Sequence, residues 1–432
     1  MQRTAKHPPS GRSDMPTTVG SFPTIRHQIS GVSVVEIARR FGTPAYVYDA
    51  ASILERINDL RQFDVIRYAQ KACSNLAILD LVRRAGVLVD AVSAGEVYRA
   101  LKAGYTPREI VYTADIFDRE SLETVLKHDL HVNCGSPDMI DQLGEKAPGK
   151  NITLRINPGF GHGHSQKTNT GGEQSKHGIW HTDLADCLLR ADRYGLMVTG
   201  IHMHIGSGTD LHHLAQVCGA LEKAVDVVGR SVTTISAGGG LPIPYRTEQT
   251  YVDLDQYFKL WDATRQRLAD RLGHNITLEI EPGRYLVAES GYLVSEIRAI
   301  KKMGSNLFYL LDAGFNNLAR PILYGAYHPM SIVPADGANE RPEQEVVVGG
   351  PLCESGDIFT QEEGGFVCKR SLPAAAVGDY LVLERAGAYG AVMASNYNSK
   401  PLAAEVLIRD GKPELIRQRQ TLDDIVRGEV IP

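Results

Sequence analysis

Several absences narrow the function before any motif is considered. No run of about 18 apolar residues occurs, so no membrane-spanning helix is expected. There is no basic excess: 46 Lys and Arg stand against 51 Asp and Glu, a formal charge of −5. That leaves little to hold a phosphate backbone and disfavours a nucleic-acid partner. The first 28 residues lack an apolar h-region, so no secretory signal is expected. They read as a flexible tail (1–28) in which Met15 is an alternative start. The six cysteines, at 73, 134, 187, 218, 353 and 368, form no CxxC and no regular spacing. This argues against a disulfide scaffold and favours the cytoplasm. Neither a P-loop nor GxGxxG is present, and there is no internal repeat.

What is there is the composition of a folded protein, 43% hydrophobic and 22% charged. From residue 64, β-rich runs alternate with helical stretches. The runs cover 64–70, 87–92, 109–114, 129–134, 152–157, 197–205, 232–237 and 276–282. Between them, segments such as SNLAILDLVRRAG carry apolar residues at i, i+3, i+4, and glycines such as Gly86, Gly104, Gly195 and Gly273 close the helices. Strands separated by helices imply parallel βαβ units, and eight of them match a (β/α)8 TIM barrel, with a doubly wound open sheet as the alternative. After residue 290 the helical period fades into β-type runs broken by Gly and Pro. The expected organisation is a barrel over 48–290 and a mostly antiparallel β domain over 291–432. The segment 29–47 is expected to pack with that domain.

The barrel is favoured by where the unusual residues fall, because barrel enzymes work at the C-terminal ends of their strands. Lys71 follows the first strand; Asp90 and Ser93 end the second, and Arg155 ends the fifth. His202 and His204 end the sixth, followed by Gly206-Ser207-Gly208. Gly238-Gly239-Gly240 follow the seventh, and Glu281, Gly283 and Arg284 the eighth. Lys71, in YAQKACSN, has small and apolar neighbours. Such surroundings disfavour an ammonium, and a neutral amine can form a Schiff base with an aldehyde. A surface lysine is the plain alternative. The glycines with Ser207 suit an anion held by backbone amides. Together these features suggest pyridoxal 5'-phosphate, although an ordinary turn reads equally simply.

His202 and His204 share one side of their strand, toward the barrel mouth. They could be core histidines or, less in keeping with a sixth strand, metal ligands of a barrel hydrolase. A second pair, His162 and His164, lies in a glycine-rich loop and reads as a loop feature whose length and glycines suggest a lid. A buried Glu281 needs a partner. A protonated pyridine nitrogen would serve, as would a salt bridge to Arg284. No metal is expected.

Taken together, YAQKACSN, DAVSAGE, GFGHGHSQKTNTGGEQSKHGIW, GIHMHIGSG, SAGGGLPIPY, EIEPGRYLVAESG, DAGFNNLARPILYGAYH, GPLCESGD and GAYGAVMASNYNS resemble the diaminopimelate decarboxylases. These belong to the alanine-racemase-like fold of pyridoxal-phosphate enzymes, and the likeness runs from about Val32 to the C-terminus. The resemblance implies that Lys71 carries the cofactor, His204 stacks on its ring and Glu281 pairs with the ring nitrogen. It implies that Ser207, Gly240 and Tyr389 hold the phosphate, helped by backbone at Gly238 and Gly239, and that Gly283 and Arg284 line the cofactor site. Arg284, Arg320, Tyr324 and Tyr389 would bind substrate. Cys353 and Glu354 would reach the site of the other subunit in a head-to-tail homodimer, Cys353 as proton donor and Glu354 on the distal amino group. The implied reaction is decarboxylation of meso-2,6-diaminopimelate to L-lysine, the last step of lysine biosynthesis. Cys73 departs from the A-x-K-A-N pattern of many relatives. A decarboxylase of D-lysine or D-ornithine, a catalytically silent homologue and a metal-dependent hydrolase are the rival readings.

Overall fold

The structure is a computed structural model and describes residues 21–161, 171–204 and 210–432. Eight parallel strands form the closed part of the first sheet: β1 (Val65–Ala69), β2 (Leu88–Ala91), β3 (Ile110–Ala114), β4 (His131–Cys134), β5 (Asn151–Asn157), β6 (Met197–His202), β7 (Thr234–Ser236) and β8 (Thr277–Ile280); the two-residue strand Ile179–Trp180 adds beside β5. Each pairs with the next, and β8 pairs back to β1 through Glu279↔Val65 and Ile280↔Ile66, so the sheet closes. The open-sheet alternative is thereby overturned. Each strand falls within a residue or two of its sequence-derived bounds except β6. It stops at His202, which leaves Met203 and His204 in the turn beyond it.

Several of the helices between the strands begin where a side chain satisfies their first amides. Asn75 caps Leu76–Arg84 by accepting from the Ala77 amide at 3.0 Å, and Ser93 caps Ala94–Lys102 through the Glu96 amide at 3.2 Å. Gly273 ends Leu254–Leu272 at φ +79°, a conformation that costs glycine little.

The outward residues of the strands (Val89, Val132, Leu154, Ile201, Ile235, Leu278) are apolar and buried against the helices. The inward row differs. Arg67 on β1 makes a two-pronged ion pair with Glu279 on β8, at 2.9 Å to each oxygen. His131 Nε2 lies 2.8 Å from Thr153 Oγ1, and the Asn133 amide donates to Thr113 Oγ1 at 2.8 Å. Arg67, Glu279, His131, Thr153 and Asn133 line a cavity of about 190 Å³ in the N-terminal half of the barrel. A space of that size lined by polar groups is large enough to admit water.

The second sheet is mostly antiparallel and is organised around the long strand Gly291–Met303. That strand pairs antiparallel with Asn306–Leu311, Tyr380–Leu383 and Ala45–Asp49. Two pairings are parallel: Asn306–Leu311 with Glu343–Gly349, and Ala45–Asp49 with Ala404–Arg409. The strand preceding the barrel thus sits inside this sheet. Its alternation divides two cores, with Tyr46 and Tyr48 facing the large one and Val47 facing the smaller one under helix Val34–Phe41. Among the described residues no helix is long and apolar enough to cross a membrane.

Candidate active site

The mouth of the barrel gathers most of the residues singled out in the sequence. Lys71 sits in the single turn Gln70–Ala72 after β1. Its neighbours Gln70, Ala72 and Cys73 are buried, but Lys71 itself is exposed, so the apolar enclosure expected around its amine is not what is found. Its charge is felt by Asp90, Glu96 and His204, which places it over the mouth rather than on the outer wall. Gly283 packs under this turn: a Cβ there would lie 3.2 Å from the Ala69 carbonyl. The Tyr389 amide donates to the Ala72 carbonyl at 2.8 Å, tying the second domain to the lysine turn.

Glu281 is buried and does not pair with Arg284. Its Oε2 is 2.7 Å from His202 Nε2, and its Oε1 accepts from Ser236 Oγ at 3.1 Å. Burial raises its pKa, but His202, Ser236 and Arg67 outweigh this and hold it below the usual carboxylate range. Asp90, also buried, is pushed up by burial and by Glu281, against the pull of Lys71. Of these two carboxyls, Glu281 is therefore the one that stays ionised.

His202 and His204 do not act as a pair. His202 is bound to Glu281, whereas His204 Nδ1 accepts the Gly239 amide at 3.0 Å. Burial, then Arg155 and Lys71, drive the His204 pKa well below its ordinary value, so its ring is neutral. The triple glycine packs tightly. Gly238 has φ +61°, and a Cβ there would lie 2.4 Å from the Met203 carbonyl; at Gly239 it would lie 2.5 Å from the Glu281 carbonyl. The amides of Gly238 and Gly239 are spent on Ser236 Oγ and His204 Nδ1, so they are not free to cradle an anion. The Gly240 amide, at φ +96°, has no such partner among the described residues. Ser207, Gly206, Gly208, His162 and His164 lie outside the described residues.

Arg284 and Arg320 are both largely buried, and neither has a carboxylate partner among the described residues. Arg284 opens the short helix Arg284–Val287, and Arg320 opens Arg320–Tyr324. Arg284 Nη1 donates to Tyr245 Oη at 3.0 Å, and Arg320 Nη1 to the same oxygen at 3.2 Å. Arg284 lies over the Tyr389 ring at 5.2 Å and senses Tyr324. Cys353 and Glu354 are exposed. The Cys353 amide donates to Asn398 Oδ1 at 2.8 Å, and no contact among the described residues joins either to the mouth of their own barrel.

Sequence reasoning missed His202 and Ser236 as holders of Glu281, and missed Tyr245. The first two were within reach: 202, 236 and 281 all face inward at the ends of β6, β7 and β8. Nothing local marked Tyr245, which arrives from the turn after the triple glycine.

The set suits pyridoxal phosphate. It offers an amine for an aldehyde, a carboxylate kept ionised for a ring nitrogen, a neutral imidazole for a ring face, and guanidinium charge nearby. A family profile for the pyridoxal binding domain of pyridoxal-dependent decarboxylases matches residues 50–288. The class is thus a pyridoxal-phosphate carboxy-lyase built as a barrel with a β domain. Diaminopimelate decarboxylase of Escherichia coli (strain K12) is 54% identical over 409 residues, covering 93% of this chain and 97% of that one. A crystal structure of diaminopimelate decarboxylase superposes with a TM-score of 0.89 at 55% identity, covering 91% of this chain and 95% of the other. That of diaminopimelate decarboxylase from Helicobacter pylori complexed with L-lysine gives 0.80 at 32% identity, covering 91% and 98%. The chain belongs to the diaminopimelate decarboxylase family.

Proposed function

We propose that the chain converts meso-2,6-diaminopimelate to L-lysine and CO2, the closing step of lysine biosynthesis. The observation that carries this is the convergence at the barrel mouth of Arg284 and Arg320, two buried guanidiniums with no carboxylate partner among the described residues. A buried charge is stable only when paired, so an anionic ligand is expected there. Diaminopimelate brings one: the carboxylate of its non-reacting end.

Bound pyridoxal phosphate supplies the electron sink for the pair left when CO2 departs. The chain does the rest. Lys71 would be the amine that holds the cofactor through its aldehyde. Glu281, kept ionised by His202 and Ser236, holds the proton on the ring nitrogen. His204 supports the ring face, and Gly240 with Ser207 and Tyr389 takes the phosphate. Arg284, Arg320 and Tyr324 hold the distal carboxylate, which fixes which end reacts. Each turnover replaces a carboxylate by a proton at Cα, and in this reading Cys353 of the partner subunit delivers it, while Glu354 of the partner subunit holds the distal ammonium. The exposure of both residues in the single chain supports a homodimer. So do the exposed Ile322 and Leu323 on the helix that carries Arg320, and Phe366. The cytoplasm remains the assigned compartment, in line with six free cysteines.

D-Lysine and D-ornithine have no second carboxylate and would leave both guanidiniums unmatched, a mismatch worth about 10⁴-fold or more in other hydrogen-bonded sites. Measuring CO2 release from the diaminopimelate isomers, D-lysine and D-ornithine should give turnover with the meso form and little with the monocarboxylates. Equal rates on D-lysine would sink the assignment.

A further inference from the structure

Tyr245 sits where the two substrate-directed arginines meet. Its segment, Leu241–Pro244, is buried, and Pro242 and Pro244 fix φ on either side of Ile243, so the tyrosine is delivered by stiff backbone. The ring is wedged edge-on against His328 at 5.5 Å, with the Arg320 guanidinium 5.0 Å from its centroid. His328 is itself immobilised. Its Nδ1 donates to the Glu384 carbonyl at 2.9 Å, and its Nε2 accepts from Arg320 Nη1 at 2.8 Å. Burial and the two guanidiniums keep that imidazole neutral. Arg320 therefore has two neutral acceptors, His328 and Tyr245.

A phenol oxygen has two acceptor positions and one proton. At Tyr245 the acceptor positions are taken by Arg284 at 3.0 Å and Arg320 at 3.2 Å. The hydroxyl proton has no acceptor among the described residues. We propose that Tyr245 is a specificity-determining residue of the distal-carboxylate pocket. It aligns the two mutually repelling guanidiniums on one oxygen and donates its own proton to the arriving carboxylate. The pocket then offers three donors, the two guanidiniums and the phenol O–H between them. Burial would push the Tyr245 phenol up, but Arg320 and Arg284 bring it below its ordinary value, which makes it a better donor to an anion. This proposal rests on the reading that the two arginines bind the substrate's distal carboxylate.

L-Lysine and cadaverine differ by that carboxylate alone and serve as the probes. Calorimetric titration of the pyridoxal-phosphate-loaded wild type should show L-lysine binding more tightly than cadaverine. In Tyr245→Phe, which keeps the ring and removes the hydroxyl, the Kd for L-lysine should rise about tenfold, the scale of one lost hydrogen bond to a charged group. The Kd for cadaverine should stay the same, and KM for diaminopimelate should rise with kcat within about twofold. An unchanged L-lysine affinity overturns the role of Tyr245 while leaving the arginines' role standing. Equal weakening of both probes also overturns it, because the effect is then not directed at the carboxylate. A wild type that does not prefer L-lysine removes the carboxylate pocket and this proposal together.

Discussion

The two halves of the barrel interior are built from the same residue types and put to opposite uses. In the N-terminal half the polar groups are paired with one another: Arg67 grips Glu279 with two bonds, His131 rests on Thr153, and Asn133 donates to Thr113. At the C-terminal mouth Arg155 still lies 4.0 Å from Asp115, but Lys71, Arg284 and Arg320 have no carboxylate partner among the described residues. Lys71 is exposed, Arg284 and Arg320 share one phenol oxygen, and Glu281 is held ionised by His202 and Ser236. A paired charge is spent on holding the fold, and an unpaired one is available to a ligand. The barrel thus keeps structure and chemistry on separate storeys, with Ser236, which lines the cavity and also bonds Glu281, at the join.

The separation can be broken from either side. Lys71→Ala should abolish turnover and the visible absorbance of the bound cofactor, yet leave the melting temperature of the cofactor-free protein almost unchanged, because the side chain is exposed. A large loss of stability would show that the mouth also carries the fold. Glu279→Ala is the converse. It strands the Arg67 guanidinium, and loss of one partner of a largely buried pair costs about 3–5 kcal/mol. Denaturant midpoints should fall accordingly while kcat of the folded fraction stays within about twofold of wild type. A kcat that collapses with an intact fold would show that the lower storey takes part in chemistry.

How much of this could be read from the residues follows the same division. The strands were legible because outward positions such as Val89, Leu154 and Ile235 must be apolar, and glycines such as Gly273 mark where helices stop. Lys71, His204, Glu281 and the triple glycine were legible because they stand at strand ends, where a barrel puts its site. The mouth's internal wiring was not. Alternation told which residues face inward, but not that His202 rather than Arg284 would take Glu281, since that depends on how neighbouring strands are staggered. Tyr245 was further out of reach, because its position is set by a turn meeting two short helices about 40 and 75 residues downstream. Nor did the residues around Lys71 reveal that only its neighbours would be buried.

The smallest effect expected tests whether the lower storey is as inert to solvent chemistry as its pairing implies. Burial first, then Arg67 and Lys150, lower the His131 pKa to about 4. In the unfolded chain it is that of an ordinary histidine, about 6.5. The folded state therefore resists taking up this proton. The stability that neutral His131 allows is fully present above about pH 6.5 and is lost as pH falls toward 4, by roughly 2–3 kcal/mol over the whole interval. His131→Gln, which can still reach Thr153 but does not titrate, should remove that part of the acid slope and leave stability at pH 8 nearly unchanged. The check is urea unfolding of the cofactor-free wild type and variant at several pH values between 4 and 8. Parallel curves would mean that water or relaxation already admits the charge, and the lower storey would then be open rather than sealed. A flatter curve for the variant would fix the cavity beside His131 as a place where a proton is excluded, in contrast to a mouth where charge is held ready.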